Sequence, residues 1–174
     1  MDTGIDFLKS QVNNAVMSHK AFVEALKDHE EQADDQRFRD LCSRYAPIMQ
    51  EMQNRLEEYQ HELGAEAGMA KKAMGTVASG ARGLADAARS NDFLRLVGDI
   101  VLAGQIEDTF RTFREAGRQL ANRRLQEIGA YGEQHHDNYK RDANRLVQSL
   151  FVELVRGTER PGTVQPGTQP RPAV

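Results

Sequence analysis

Apolar residues recur at alternating intervals of three and four along four long stretches of the chain. This spacing places them on one face of an α-helix, so it predicts four amphipathic helices. The stretches cover about residues 4–32, 36–63, 92–120 and 123–156. No run of strand length alternates apolar and polar residues, and the sequence therefore predicts an all-α fold.

Glycine, proline and capping residues set the expected helix ends. Gly64 is expected to stop the second helix, and Gly157 the fourth. Asn91 or Asp92 is a suitable N-cap for the third. Pro47 lies inside the second pattern, where a proline removes one helical hydrogen bond, so we predict a continuous helix with a kink at this position.

The two regions outside these patterns have different compositions. Residues 64–91 combine five glycines with many alanines and have weak periodicity. We expect this segment to be a long crossover between helices 2 and 3 of a four-helix bundle. Residues 158–174 are rich in Pro, Gly, Thr and Gln and are expected to be disordered. The predicted domain therefore covers residues 1–157, followed by this tail.

Composition and charge limit the function classes. The 174 residues carry a formal net charge of -3, which gives no electrostatic reason to expect a nucleic-acid or membrane partner. The chain has one cysteine, Cys42, which we interpret as a small buried hydrophobe. The N-terminus has no secretory pattern, so the cytoplasm is expected. A homodimer remains an open alternative.

Polar residues interrupt the apolar rows at the middle of three helices. The inward row of helix 1 begins at Ile5 and passes through His19, while helices 3 and 4 place Glu107 and His136 in theirs. Glu133 precedes His136 by three residues, which puts both groups on one helix face. Burying such groups is costly unless they are paired or bound to metal. We therefore expect these four residues to converge in the bundle.

The motif Glu133-x-x-His136, Glu107 on helix 3 and the sequence LEEYQHELG at residues 56–64 carry a resemblance. With them, the chain resembles a bacterial ferritin-like stress protein, from a superfamily that includes rubrerythrin and bacterioferritin. The resemblance covers about residues 5–156. It implies a ferritin-like bundle and a site for iron or manganese, to which each half contributes one glutamate and one Glu-x-x-His.

The first half of the chain departs from that ligand scheme. His19 occupies the position of the expected helix-1 glutamate, and Tyr45 and Ile48 stand where helix 2 should supply Glu-x-x-His. Glu51 is one turn away and is an accessory candidate, as is Tyr45. We therefore expect a degenerate or mononuclear site, because two imidazoles and one or two carboxylates are a reasonable ligand set for iron, zinc or manganese. Enzymatic activity is left undecided.

Within that reduced site we also predict the role of each residue, should a metal ion bind. Glu107 and His136 would be the essential ligands, Glu133 would bridge or support them, and His19 would complete the set. Two alternatives use no metal. One is a non-catalytic interaction or adaptor protein with a hydrogen-bonded polar core, and the other is a phasin-like protein that coats granules through exposed apolar faces. His29, near a helix end, is interpreted as a surface residue.

Overall fold

The structure is a computed structural model, and it describes residues 4–65 and 91–158. The helices are α1 Gly4–Gln32, α2 Gln36–Glu62, α3 Asp92–Gln119 and α4 Arg123–Thr158. The described residues contain no strand, which confirms the all-α prediction. No helix among them has both the length and the apolar character needed to cross a membrane.

The helix ends follow the capping chemistry in most places. The side chain of Asp35 accepts a hydrogen bond from the Arg37 amide, and Asn91 accepts one from the Leu94 amide. Gly64 has a φ of 62°, the left-handed conformation expected of a glycine just after a helix. α2 continues through Pro47, as predicted.

The prediction for Gly157 is wrong, because α4 extends one residue further, to Thr158. Gly157 does not have the positive φ that ends a helix at Gly64. A glycine can adopt helical backbone angles at a modest cost, so its presence alone does not fix a helix end.

Each helix packs against two others. α1 packs with α2 and α3, and α4 packs with α2 and α3, so α2 and α3 lie diagonally across the bundle. The two hairpins, α1 with α2 and α3 with α4, have the most extensive contacts. The described helices therefore form a four-helix bundle.

Contacts at the two ends fix the helix directions. At one end the backbone N–H of Asp35 donates to Asp92 at 2.6 Å, which places the α1–α2 turn beside the start of α3. At the other end Asn13 donates to the carbonyl of Ala65 at 3.1 Å, so the end of α2 lies near the start of α1. The end of α2 and the start of α3 thus lie at opposite ends of the bundle. The predicted crossover and the predicted tail fall almost wholly outside the described residues.

The predicted inward rows form the core, except at the start of α1 and at Arg114, which belongs to the predicted row of helix 3 but is exposed. Val12, Phe22 and Leu26 of the helix-1 row are fully buried, whereas Ile5 is 49% exposed. Asn13 is already level with Ala65, which lies three residues beyond the end of α2. The first two turns of α1 extend past that level, so the inward prediction for Ile5 is wrong.

Candidate functional site

Two histidines from diagonal helices meet in the centre of the bundle. His19 of α1 and His136 of α4 are both fully buried, and their ring centroids lie 5.1 Å apart. Phe110 packs against both rings, and Phe22 packs against His136. The pair is therefore enclosed by aromatic side chains, in surroundings that disfavour charge.

The tautomer of His19 is set by Gln53 of α2. The Nε2 amide group of Gln53 donates to the Val16 carbonyl and to Glu57, which fixes the side-chain oxygen as the atom that faces His19. That oxygen lies 2.9 Å from His19 Nδ1 and can only accept, so Nδ1 carries the proton. The lone pair of the neutral ring is then on Nε2.

His136 has the same tautomer, which is set by a hydrogen bond within its own helix. Its Nδ1 lies 2.8 Å from the carbonyl oxygen of Gly132, one turn earlier, and must donate to it. Neither His19 Nε2 nor His136 Nε2 has a hydrogen-bond partner among residues 4–65 and 91–158. The bundle centre therefore contains two buried nitrogen lone pairs.

Burial keeps both rings neutral near pH 7. It lowers the pKa of His19 to about 4, against smaller opposing effects of the Gln53 hydrogen bond and the Glu57 charge. It lowers the pKa of His136 to about 3, with a further lowering from His19. Neutral imidazole is the form that can bind a metal ion.

The carboxylate of Glu107 is buried and has cationic partners. The Glu107 side chain accepts from Lys140 at 2.6 Å and from Arg111 at 2.5 Å. Both oxygens are therefore in ion pairs, one within α3 to Arg111 and one from α3 to Lys140 of α4. Glu107 thus lies in the core as predicted, but its charge is balanced by two basic side chains.

Glu133 belongs to the same ion-pair network. One oxygen accepts from Arg111 at 3.2 Å, and the other lies 2.6 Å from Arg114 Nη1, close enough for an ion pair though off the hydrogen-bonding direction. The four predicted residues therefore form two groups, one of paired imidazoles and one of carboxylates that share Arg111.

The accessory candidates lie elsewhere. The Tyr45 hydroxyl donates to Asp142 at 2.9 Å, and its ring packs on Tyr139. Glu51 is exposed and accepts from Arg55. The helix-2 residue at the level of His19 is Gln53, which sequence reasoning missed. Side chains tilt toward the N-terminus of their own helix, which is away from the turn on α1 and toward the turn on α2. The α2 residue that contacts His19 therefore lies more residues from the turn than His19 does.

A second polar group near the α1–α2 turn was also missed. Ligand atoms of His29, Cys42 and Asp99 all lie within 4.8 Å of one another. Cys42 is buried as predicted, but the surface interpretation of His29 is wrong, because its side chain is only 16% exposed and bonds buried Asp99. Asp99 follows core residue Leu96 by three positions, and this spacing is a signal that could have shown its burial.

Lowering the pH below 6.5 should destabilise the metal-free protein. The unfolded chain binds a proton on each histidine near pH 6.5, whereas folded His19 and His136 bind one only near pH 4 and pH 3. The unfolded state therefore holds more protons in this window. Each histidine should lower the free energy of unfolding by about 1.4 kcal/mol per pH unit. Urea unfolding at several pH values between 4.5 and 7 measures this slope.

Two variants separate the histidine pair from other groups that titrate. His136→Phe should reduce the slope between pH 5 and 6.5 by about half, since one of the two buried histidines is gone. His61→Gln, at an exposed position, should leave the slope unchanged. Equal slopes for His136→Phe and the unsubstituted chain would show that the pair does not control acid stability.

Comparison with known proteins gives no match for this chain, whether with family models, with curated proteins or with solved structures.

Proposed function

We propose that the protein binds one zinc or ferrous ion through Nε2 of His19 and Nε2 of His136. The observation that carries this proposal is the pair of buried lone pairs, each with its tautomer set by a hydrogen bond at Nδ1. Histidine ligands in metal sites are oriented by such bonds from their second nitrogen. Zinc and iron accept imidazole readily, whereas manganese prefers oxygen ligands.

The carboxylates support a single ion better than a pair of ions. A bridged di-metal centre needs free carboxylate oxygens, but those of Glu107 and Glu133 have Arg111, Arg114 and Lys140 as partners. The residues present therefore do not fit the full ferritin-like ligand set. A mononuclear site with two imidazole ligands fits them, with the remaining positions open to small ligands such as water. When bound, the ion would supply a Lewis-acidic centre in the core.

Bundle topology supports placing this site in a degenerate ferritin-like protein. α2 and α3 are diagonal, and the end of α2 lies at the opposite end of the bundle from the start of α3. Ferritin-like folds have the same arrangement of these two helix ends and join them by one long crossover. In this proposal the histidine pair is what remains of the metal centre.

Metal binding should stabilise the fold, because the unfolded chain has no preformed site. Free zinc at 100 times its dissociation constant should add about 2.7 kcal/mol to the free energy of unfolding. The test uses the full chain, stripped with a chelator and loaded with Zn(II), or with Fe(II) under anaerobic conditions. Thermal melting and elemental analysis of the dialysed protein then report stabilisation and stoichiometry.

Matched variants assign the effect to the pair. The measurement is made in Cys42→Ser protein, so that a thiolate cannot contribute. His136→Phe and His19→Phe, which keep an aromatic ring in the core, should abolish the metal-induced shift. The exposed change His61→Gln should preserve it. A shift that survives in both phenylalanine variants, or no bound zinc or iron, would contradict the proposal.

A second candidate is an interaction or adaptor protein. It is favoured by large apolar side chains that are 41–56% exposed near the end of α4, namely Phe151, Val152, Leu154 and Val155. Such a group on a helix end is typical of a contact surface. The apolar stripes elsewhere in the described helices face the bundle core, which gives a phasin-like coating function less support.

A further inference from the structure

Three helices bring a histidine, a cysteine and an aspartate together near the α1–α2 turn. His29 comes from α1, Cys42 from α2 and Asp99 from α3. His29 Nδ1 lies 2.9 Å from the Asp99 carboxylate, and the donor atoms of all three residues are within 4.8 Å of one another. His29 follows His19 by ten residues, which is about 15 Å along α1, so this cluster is separate from the central histidine pair.

We propose that His29, Cys42 and Asp99 form a second, independent site for a borderline divalent cation such as zinc. The three side chains offer one nitrogen, one sulfur and one oxygen. Zinc binds all three donor types, and three protein ligands with an open fourth position are the arrangement of its catalytic sites. The supporting helices are packed into the bundle, so the donors are held on rigid elements.

The present distances need only a small change to accept an ion. Two light donor atoms, each about 2.1 Å from a tetrahedral zinc, lie about 3.4 Å apart. The His29 and Asp99 atoms would therefore move apart from 2.9 Å by about half an ångström. Tyr139 donates to the same Asp99 oxygen that faces His29, at 3.3 Å, and so helps to orient this carboxylate.

The cluster can be reached from solvent, and an ion that binds there displaces protons from its ligands. The His29 side chain is 16% exposed, whereas Cys42 is fully buried, so an ion would enter from the His29 side. On binding, the cation loses water ligands, the S–H bond of Cys42 and the Nδ1–H bond of His29 break, and metal–sulfur and metal–nitrogen bonds form. The Cys42 proton goes to solvent, the His29 ring stays neutral by taking a proton at Nε2 in exchange for the one lost at Nδ1, and no atom changes oxidation state.

Cobalt(II) is a direct probe, because Cys42 is the single cysteine of the chain. Titration of the full chain with Co(II), under a non-thiol reductant, should produce a thiolate-to-cobalt charge-transfer band and the visible bands of four-coordinate cobalt. Zinc should remove them by competition. The bands should be absent in Cys42→Ser, and His29→Gln and Asp99→Asn should weaken cobalt binding by about tenfold or more.

One control variant distinguishes cobalt binding at this cluster from metal binding at the central histidine pair. His136→Phe should retain the full charge-transfer band, whatever that variant does to zinc binding in the core. Circular dichroism confirms that each variant is folded, and His29→Gln is the mildest change because residue 29 is partly exposed. The inference is overturned if folded protein gives no charge-transfer band, or if His29→Gln and Asp99→Asn bind cobalt as tightly as the unsubstituted chain.

Discussion

Replacing Gly129 by alanine should lower the free energy of unfolding by about 3 kcal/mol or more. A Cβ atom at this position would lie 2.6 Å from the Phe110 carbonyl oxygen and 2.6 Å from Arg114 Cα, and closer still to the Arg114 amide nitrogen. These are backbone atoms of α3, which no side-chain rotation can move away. The alanine variant can fold only if α3 and α4 separate.

A matched glycine on α3 provides the control. A Cβ atom on Gly98 would meet nothing within 4 Å, and this glycine lies inside a helix. Gly98→Ala should therefore raise stability by about 0.5–1 kcal/mol through helix propensity. Urea unfolding of both variants measures the two changes. Equal and small effects would show that α3 and α4 do not pack backbone to backbone at Gly129.

Phe22→Ala should cost about 3–5 kcal/mol. The Phe22 side chain is fully buried and packs against His136 and Tyr139, so truncation leaves a cavity beside the histidine pair. Phe7→Ala, about four turns earlier on the same helix, removes a side chain that is 62% exposed and should change stability by less than about 0.5 kcal/mol. Chemical denaturation measures the free energy of unfolding of both variants. Similar losses in the two would mean that α1 is rotated about its own axis, so that it presents a different face to the core.

The helices and the central histidines were predictable because helical periodicity reports burial directly. His19 and His136 lie in unbroken apolar rows, so their inward direction follows from the sequence. Asn91 and Gly64 act at the helix ends as their capping chemistry indicates. Ile5 fits the same row but lies beyond the level of Ala65, and a periodic pattern does not report where neighbouring helices end.

The partners of the polar groups were less predictable, because they depend on three-dimensional distances between helices. Arg111 follows Glu107 by four residues, a spacing that allows an ion pair within one helix, but nothing in the sequence shows that Lys140 of α4 also reaches Glu107. Gln53 does not follow from counting residues outward from the α1–α2 turn, because the side chains of two antiparallel helices tilt in opposite directions. The cluster of His29, Cys42 and Asp99 involves three helices, and its first and last residues are 70 positions apart in the sequence.

X-ray absorption at the zinc edge, on zinc-loaded Cys42→Ser protein, tests the central claim most directly. We predict nitrogen ligands at about 2.0–2.1 Å with the multiple scattering of two imidazole rings. The His136→Phe variant of the same protein should lose this signal, because one remaining imidazole is not expected to hold the ion. A protein that binds no zinc, or a spectrum without imidazole scattering, or one unchanged by His136→Phe, would contradict the assignment of the buried pair as a metal site.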